Sequence, residues 1–256
     1  MDIPPTIEFI EKVARHAGDT LLQHFGKDQE LLRLRATVKE AVTTYDRLID
    51  HLIVQDITDR YPEHSLFTEE SGRLAGDPDW LWIVDSLDGT SDFASSNPLF
   101  CVCIALMHKA QLLLGAVYAP AIREFYLAEK GNGAYLNQRR IHVSETSELT
   151  HSYVFYCEGG EKDRQRTGAI LSRVYPQVTD LRKLGAAGLE TAWVAAGKGD
   201  AYYTTRIEPW DVAAGVLLVE EAGGKVTDFD GNPWKPQTSD LLFSNGRLHA
   251  AVQALL

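Results

Sequence analysis

The chain has 256 residues, 45% of them apolar and 24% charged, which is ordinary globular material and long enough for a large core. Its 36 acidic against 25 basic residues leave a formal net charge of −11, a balance that disfavours nucleic-acid phosphates and anionic membranes as partners. A phosphate-bearing substrate then needs cations held locally at its site, as metal ions or a few arginines and lysines.

Thr6 to Ala17 repeat apolar residues at helical spacing behind Pro4 and Pro5, and Leu21, Leu22 and Phe25 carry that face to a stop at Gly26. The opening residues show no basic segment leading into an apolar one, so no signal peptide is expected. A second helix is predicted over Tyr45–Arg60 and ends at Tyr61-Pro62. Leu66 to Thr68 read as a short strand running into Glu69 and Glu70. Leu81 to Val84 form a compact apolar strand that delivers Asp85. Further strands are predicted over Cys101–Met107, Leu112–Tyr118 and Glu124–Glu129, with turns at Ala119-Pro120 and Gly131-Asn132-Gly133. Strands in such close succession predict an antiparallel sheet.

Beyond Val143 the pattern alternates. Strands are predicted over Tyr153–Tyr156, Ala201–Thr204 and Lys225–Thr227, and helices over Asp163–Val174, Gly185–Ala196 and Trp210–Ala222. Alternation of this kind predicts an α/β half. The chain divides into residues 1–142 and 143–256, expected to form one compact unit with a cleft between the halves. No apolar run approaches the roughly 18 residues of a membrane span, so a soluble, cytoplasmic protein is expected.

Three cysteines, Cys101, Cys103 and Cys157, are too few and odd for a disulfide framework. Cys101 and Cys103 share one strand face and read as core thiols, since no further soft ligand is evident near them. None of the eight histidines shows a paired metal-ligand spacing. The tryptophans read as packing residues, Trp210 as the anchor of its helix.

The densest chemical signal is Trp82-Ile-Val-Asp85-Ser-Leu-Asp88-Gly89-Thr90. An apolar strand brings two carboxylates, three apart, to a glycine turn, where they can converge on hard cations. The Leu87 carbonyl lies between them. Thr90 and Ser91 can open a helix whose amides suit a phosphate. A bare D-x-x-D-G is as often a plain turn. Asp46 and Asp211, taken singly, read as acids favoured at helix starts, and Glu69 and Glu70 as surface acids.

Taken together, WIVDSLDGTSDF and the later WDVAAG…EEAGG resemble the paired signature of the inositol monophosphatase family, within a superfamily of lithium-sensitive, metal-dependent phosphatases. The resemblance runs through nearly the whole chain. It includes Val42-Thr43…Asp46, the Glu69-Glu70 pair, Gly131-Asn-Gly-Ala-Tyr, and Gly185-Ala186-Ala187 before a helix. It implies a layered αβαβα sandwich of the sugar-phosphatase type, and a homodimer. It also implies a Mg²⁺-dependent phosphomonoesterase carrying two or three ions, with some lithium inhibition.

By resemblance, Glu69, Asp85 and the Leu87 carbonyl hold one ion, and Asp85, Asp88 and Asp211 a second. A weaker third also leans on Glu69. Thr90 and Asp46 resemble the pair that orients and deprotonates the attacking water. The Gly89 and Thr90 amides resemble the phosphate cradle. Asp88, Ala187, Thr204 and Asp211 stand where the family meets the rest of its substrate. The implied chemistry is in-line attack of metal-activated water on phosphorus, without a phosphoenzyme.

The sequence departs from the family at Glu40, Thr68, Ser86 and Thr204. At the last of these, animal members tend to carry a glutamate that contacts inositol hydroxyls. Inositol 1-phosphate is the leading substrate. Nearby Arg206 either favours a second phosphate or is a solvated loop residue. This leaves fructose 1,6-bisphosphate, 3′-phosphoadenosine 5′-phosphate, histidinol phosphate and NADP as alternatives. Arg33, Arg35 and Lys39 form a basic cluster that reads as solvent-facing. A metal-binding regulatory protein without turnover is the reading from another class.

Overall fold

The computed structural model describes residues 5–27, 35–158 and 163–256, with side chains left out over 35–43. The Arg33, Arg35 and Lys39 side chains, and those of Glu40 and Thr43, lie outside the described ones. Helix α1 (Ile7–His24) is capped by Thr6, whose hydroxyl accepts the Phe9 amide. It buries Ile10, Val13, Ala14, Ala17 and Leu21, one stripe at helical spacing. Helix α2 spans Arg35–Arg60. It begins ten residues before the predicted Tyr45 start, so Asp46 lies inside a helix and not at its N-terminus. The run from Arg35 to Thr44 contains no proline or glycine to halt it.

Strands β1 (His64–Thr68), β2 (Gly72–Leu74), β3 (Asp77–Asp88), β4 (Cys101–His108), β5 (Gln111–Ala119), β6 (Glu124–Glu129), β7 (Gly133–Leu136) and β8 (Arg139–Arg140) form one sheet. Its order is β2-β1-β3-β4-β5-β6-β7-β8. All its pairings are antiparallel except β1 with β3, which is parallel. Short helix α3 (Thr90–Ala94) follows β3. The second sheet has the order β10-β9-β11-β13-β12, from β9 (Tyr153–Glu158), β10 (Asp180–Arg182), β11 (Ala201–Thr205), β12 (Lys225–Asp228) and β13 (Leu241–Ser244). Helices α4 (Arg164–Val174), α5 (Ala187–Ala195), α6 (Pro209–Glu221) and α7 (His249–Gln253) complete the chain. The sequence carries no prediction for β2, β7, β8, β10, β13 or α7.

Period-2 burial explains the layering. On β3 and β4, Trp82, Val84, Val102, Ile104 and Leu106 pack with α1 and α2. Their alternates Ile83, Cys101, Cys103, Ala105 and Met107 pack with α5 and α6. Both faces of the sheet are covered, so its central strands read as unbroken apolar runs. The second sheet lies beyond α5 and α6, and its outer face packs Val154, Tyr203 and Leu242 against Ile170, Val174 and Val252 of α4 and α7. The result is a mixed α/β sandwich of alternating helix and sheet layers, as predicted.

Helix α6 sits close to both neighbours. A Cβ on Gly115 would lie 2.9 Å from the Ala214 carbonyl, and one on Gly215 would lie 1.9 Å from Thr191 Oγ1. Gly215→Ala is therefore expected to destabilise the fold by about 2 kcal/mol or more, read as a lower denaturant midpoint. An unchanged midpoint would show that the α5–α6 contact yields freely.

Buried His249 bonds to Thr227 Oγ1 at 2.9 Å and Ser244 Oγ at 2.8 Å. Burial, with a smaller push from Lys225, lowers its pKa from 6.5 to about 4. The unfolded chain binds this proton before the native one does. The associated stability is full above about pH 6.5 and is lost as pH falls toward 4, on the order of 2–3 kcal/mol. His249→Gln should flatten this limb by about one proton, measured as unfolding free energy against pH. Parallel profiles for the two proteins would refute it.

Candidate active site

The site begins where β1 and β3 end side by side. The Glu69 amide donates to the Val84 carbonyl at 3.2 Å, which sets Glu69 beside the start of the Asp85 turn. The apolar run predicts a strand that stops at Val84, but β3 runs on to Asp88. Along the β3–β4 ladder Asp85 faces Cys103 and Asp88 faces Cys101, with a register shift between them. Ser86 and Leu87 on β3 thus answer the single Val102 on β4. On a regular strand, side chains three apart point to opposite faces. The extra residue restores parity and puts both carboxylates on the α5–α6 side.

Backbone amides orient these acids. Asp85 Oδ1 accepts the Leu87 amide at 2.9 Å, and the Leu87 carbonyl accepts Thr90 Oγ1 at 3.1 Å. Gly89, at φ 85°, turns the chain into α3. Asp88 accepts the Ala187 amide at 3.1 Å and the Gly188 amide at 2.7 Å from the start of α5. Cys101 Sγ donates to the same carboxylate at 3.3 Å. Asp211 is the third residue of α6 and accepts the Glu208 amide at 3.2 Å, half of a capping box.

The groups acting on these carboxylates are mainly one another. Burial, then Asp88, Glu69 and Asp211, push Asp85 well above the carboxylate range. Burial, then Asp88 and Glu69, do the same to Asp211. Glu69 is raised by desolvation and by Glu70, although its side chain reaches solvent. Burial lifts Asp88 to about 7 against its bonds from Cys101, Gly188 and Ala187. Asp46 is lifted to about 8 by burial, then by Glu69 and Glu70. Asp46 Oδ1 and Asp50 Oδ1 are buried without a hydrogen-bond partner. Mutually repelling acids with orphaned oxygens form a hard-oxygen donor set of the kind Mg²⁺ takes. The residues fit such an ion.

The remaining predicted residues divide. Ala187 is buried beside Asp88, Gly89 is buried and Thr90 is exposed. Thr204 is 0% exposed and its hydroxyl lacks a partner. It lies within β11. Arg206 is exposed, its amide bonded to Asp240 Oδ1 at 3.0 Å.

Three features went unread in the sequence. Asp50 accepts the Ser71 hydroxyl and acts on Glu69; its spacing of four from Asp46 on one helix was the available signal. Fully buried Glu190 accepts the Leu184 amide at 2.7 Å and fastens the loop ahead of α5. A lone acid in the apolar run Gly188–Ala196 marked it. The Cys101 contact with Asp88 had no signal without the β3–β4 register. A 580 Å³ cavity flanked by Met107, Val216 and Trp234 contains none of these acids.

The family model described as "Inositol monophosphatase family" matches residues 2–256. The chain is 36% identical over 252 residues to the fructose-1,6-bisphosphatase/inositol-1-monophosphatase of Thermotoga maritima, covering 96% of this chain and 93% of the relative. It is 33% identical over 261 residues to the Nus factor SuhB of Xylella fastidiosa, covering 98% and 94%. The solved inositol monophosphatase of Anabaena (Nostoc) sp. PCC 7120 superposes with a TM-score of 0.85 at 35% identity, covering 97% and 94%.

A Cβ on Gly89 would lie 2.8 Å from the Leu99 carbonyl, whereas one on Gly72, also at positive φ, meets nothing within 4 Å. Gly89→Ala is therefore expected to cost about 2–3 kcal/mol, and Gly72→Ala only the backbone strain of about 1 kcal/mol. Chemical denaturation of both variants checks this. Equal losses would mean that the Leu99 contact relaxes.

Proposed function

The chain belongs to the inositol monophosphatase family, and from that premise we propose that it is a Mg²⁺-dependent phosphomonoesterase of small phosphorylated polyols and sugars. Inositol 1-phosphate is its leading substrate. The observation that carries the reading is the gathering of Asp85, Asp88, Asp211 and Glu69 at one end of β3, each acting electrostatically on others of the set. Glu69, Asp85, the Leu87 carbonyl, Asp88 and Asp211 would hold two ions, with Glu69 open to a third. Bound Mg²⁺ supplies charge neutralisation for the phosphoryl group and acidifies water.

The chain's own groups do the rest. Asp46, with a raised pKa and a free buried oxygen, takes the proton of the attacking water. Thr90, anchored on the Leu87 carbonyl, orients that water. The Gly89 and Thr90 amides hold the phosphate, and α5 presents Ala187 to the alcohol side. Asp88 and Asp211 meet the substrate hydroxyls. The acidic chain is no obstacle, because the cations reverse the local field.

Within this reading the exposed Arg206 favours esters carrying a second anionic group, such as fructose 1,6-bisphosphate, in keeping with the double name of the Thermotoga relative. Nucleotide esters, histidinol phosphate and NADP follow. We further propose a cytoplasmic homodimer, its halves 1–142 and 143–256 forming one unit, with lithium inhibition. No helix among the described residues is long and apolar enough to cross a membrane. A metal-binding regulatory role is the second reading. It is favoured by relatives whose printed name designates a factor and not a phosphatase.

Phosphate release from a panel of these esters, with and without Mg²⁺, tests the proposal. Release is expected to need Mg²⁺ and to fall at least about 100-fold in Asp85→Asn and Asp211→Asn. Their unfolding temperatures without Mg²⁺ should match or exceed that of the wild type, because each removes a buried repulsion. Metal binding without release from any ester would favour the regulatory reading.

A further inference from the structure

We propose that the two thiols facing the acid cluster form a second, soft-metal site with Asp88, one that takes Zn²⁺ or Cd²⁺ where the acids alone would take Mg²⁺. Among the described residues, ligand atoms of Asp88, Cys101 and Cys103 all lie within 4.8 Å of one another, and all three side chains are buried. The two sulfurs are 3.8 Å apart, and Cys101 Sγ lies 3.3 Å from Asp88 Oδ2. Zinc–sulfur bonds of about 2.3 Å at the tetrahedral angle separate two sulfurs by about 3.8 Å, and a sulfur from a carboxylate oxygen by about 3.5 Å. Two edges of the triangle therefore already match a tetrahedral ion, and the third, from Cys103 to Asp88, lies within 4.8 Å.

The ladder explains the spacing. Cys101 and Cys103 are two apart on β4 and share a face. The bulge in β3 sets Asp88 opposite Cys101 and Asp85 opposite Cys103, at cross-strand distance. Asp85 lies outside the group whose ligand atoms are all within 4.8 Å of one another, so a water completes the tetrahedron. Helix α5 leaves room above the sulfurs only because residue 188 is glycine: a Cβ there would lie 2.2 Å from Cys103 Sγ.

Binding exchanges two thiol protons for one divalent ion. Both S–H bonds break, the protons leave to solvent, and two thiolates and a carboxylate bind the metal. Thiolates select soft ions, while Mg²⁺ takes oxygen. The chain would then carry a built-in sensitivity. A soft ion draws Asp88 away from the hard-ion set and blocks that set. The binding stands independently of the phosphatase reading, and the inhibition rests on it.

The test is titration of the full chain with Cd²⁺ in the absence of substrate. It follows the ultraviolet thiolate-to-cadmium charge-transfer band and the bound metal by equilibrium dialysis. One Cd²⁺ per chain with a thiolate band is expected. The affinity should fall at least about 100-fold in the Cys101→Ser/Cys103→Ser double variant and be kept in Cys157→Ser. No band in the wild type, a band that survives the double variant, or one removed by Cys157→Ser alone would overturn the site. Should the double variant fail to fold, the anomalous signal of Cd²⁺ in wild-type crystals decides. A peak between the two sulfurs supports the site, and a peak elsewhere alone refutes it. Cd²⁺ binding without phosphatase activity would remove the phosphatase reading and leave the site standing.

Discussion

The single extra residue in β3 is the constraint on which the rest of the site depends. Two aspartates three apart on a regular strand cannot serve one cluster, because the sheet would lie between them. The register shift between Asp85 and Asp88 turns both toward α5 and α6. Asp88 then meets the first amides of α5, and Asp85 comes under the influence of Asp211 at the start of α6. A feature of one residue thus joins two helices that lie far downstream in the chain to the end of one strand.

Gathering acids this way is costly. A carboxylate taken from water without a cation rises in pKa or destabilises the fold, and Asp85, Asp88 and Asp211 all show the rise. The acids are held in place by neutral donors: the amides of Leu87, Ala187, Gly188 and Glu208. Amides orient a carboxylate without cancelling its charge, so the cluster keeps its appetite for cations. Its surroundings are correspondingly rigid. Helix α6 is wedged between Gly115 of the sheet, which its Ala214 carbonyl approaches, and Thr191, with no room for a methyl group at Gly215, and Glu190 fastens the loop that leads into α5.

Much of this is legible in the chain. Strands β4, β5 and β6 can be read to within a residue at each end, because burial on both faces leaves unbroken apolar runs bounded by turns. Helix α6 is readable because Glu208-Pro209 opens it and its apolar interior has no break. The start of α2 is misplaced because Asp46 reads as an acid at a helix start, whereas the helix passes through it. Strands β7, β10 and β13 have only three or four residues between turns, too few for periodicity to register. The acids stand out as a set from their motifs, and the geometry brings them to one end of β3. The burial of Thr204 in β11 is likewise not legible from its neighbours in the chain. Side-chain direction on a strand depends on register, and register is a property of the pair.

The same argument accounts for the thiols. As a sequence, Cys-Val-Cys is two small apolar residues on a covered face, and both are indeed in the core. Only when β4 is laid against a bulged β3 do they become the cross-strand partners of two aspartates. Had β3 been regular, Cys101 would face Leu87, and Asp88 would point to the other side of the sheet. The hard-ion set and the sulfur site therefore have one structural origin. Any change that removes the bulge dismantles both, whereas replacing the sulfurs leaves every oxygen donor in place.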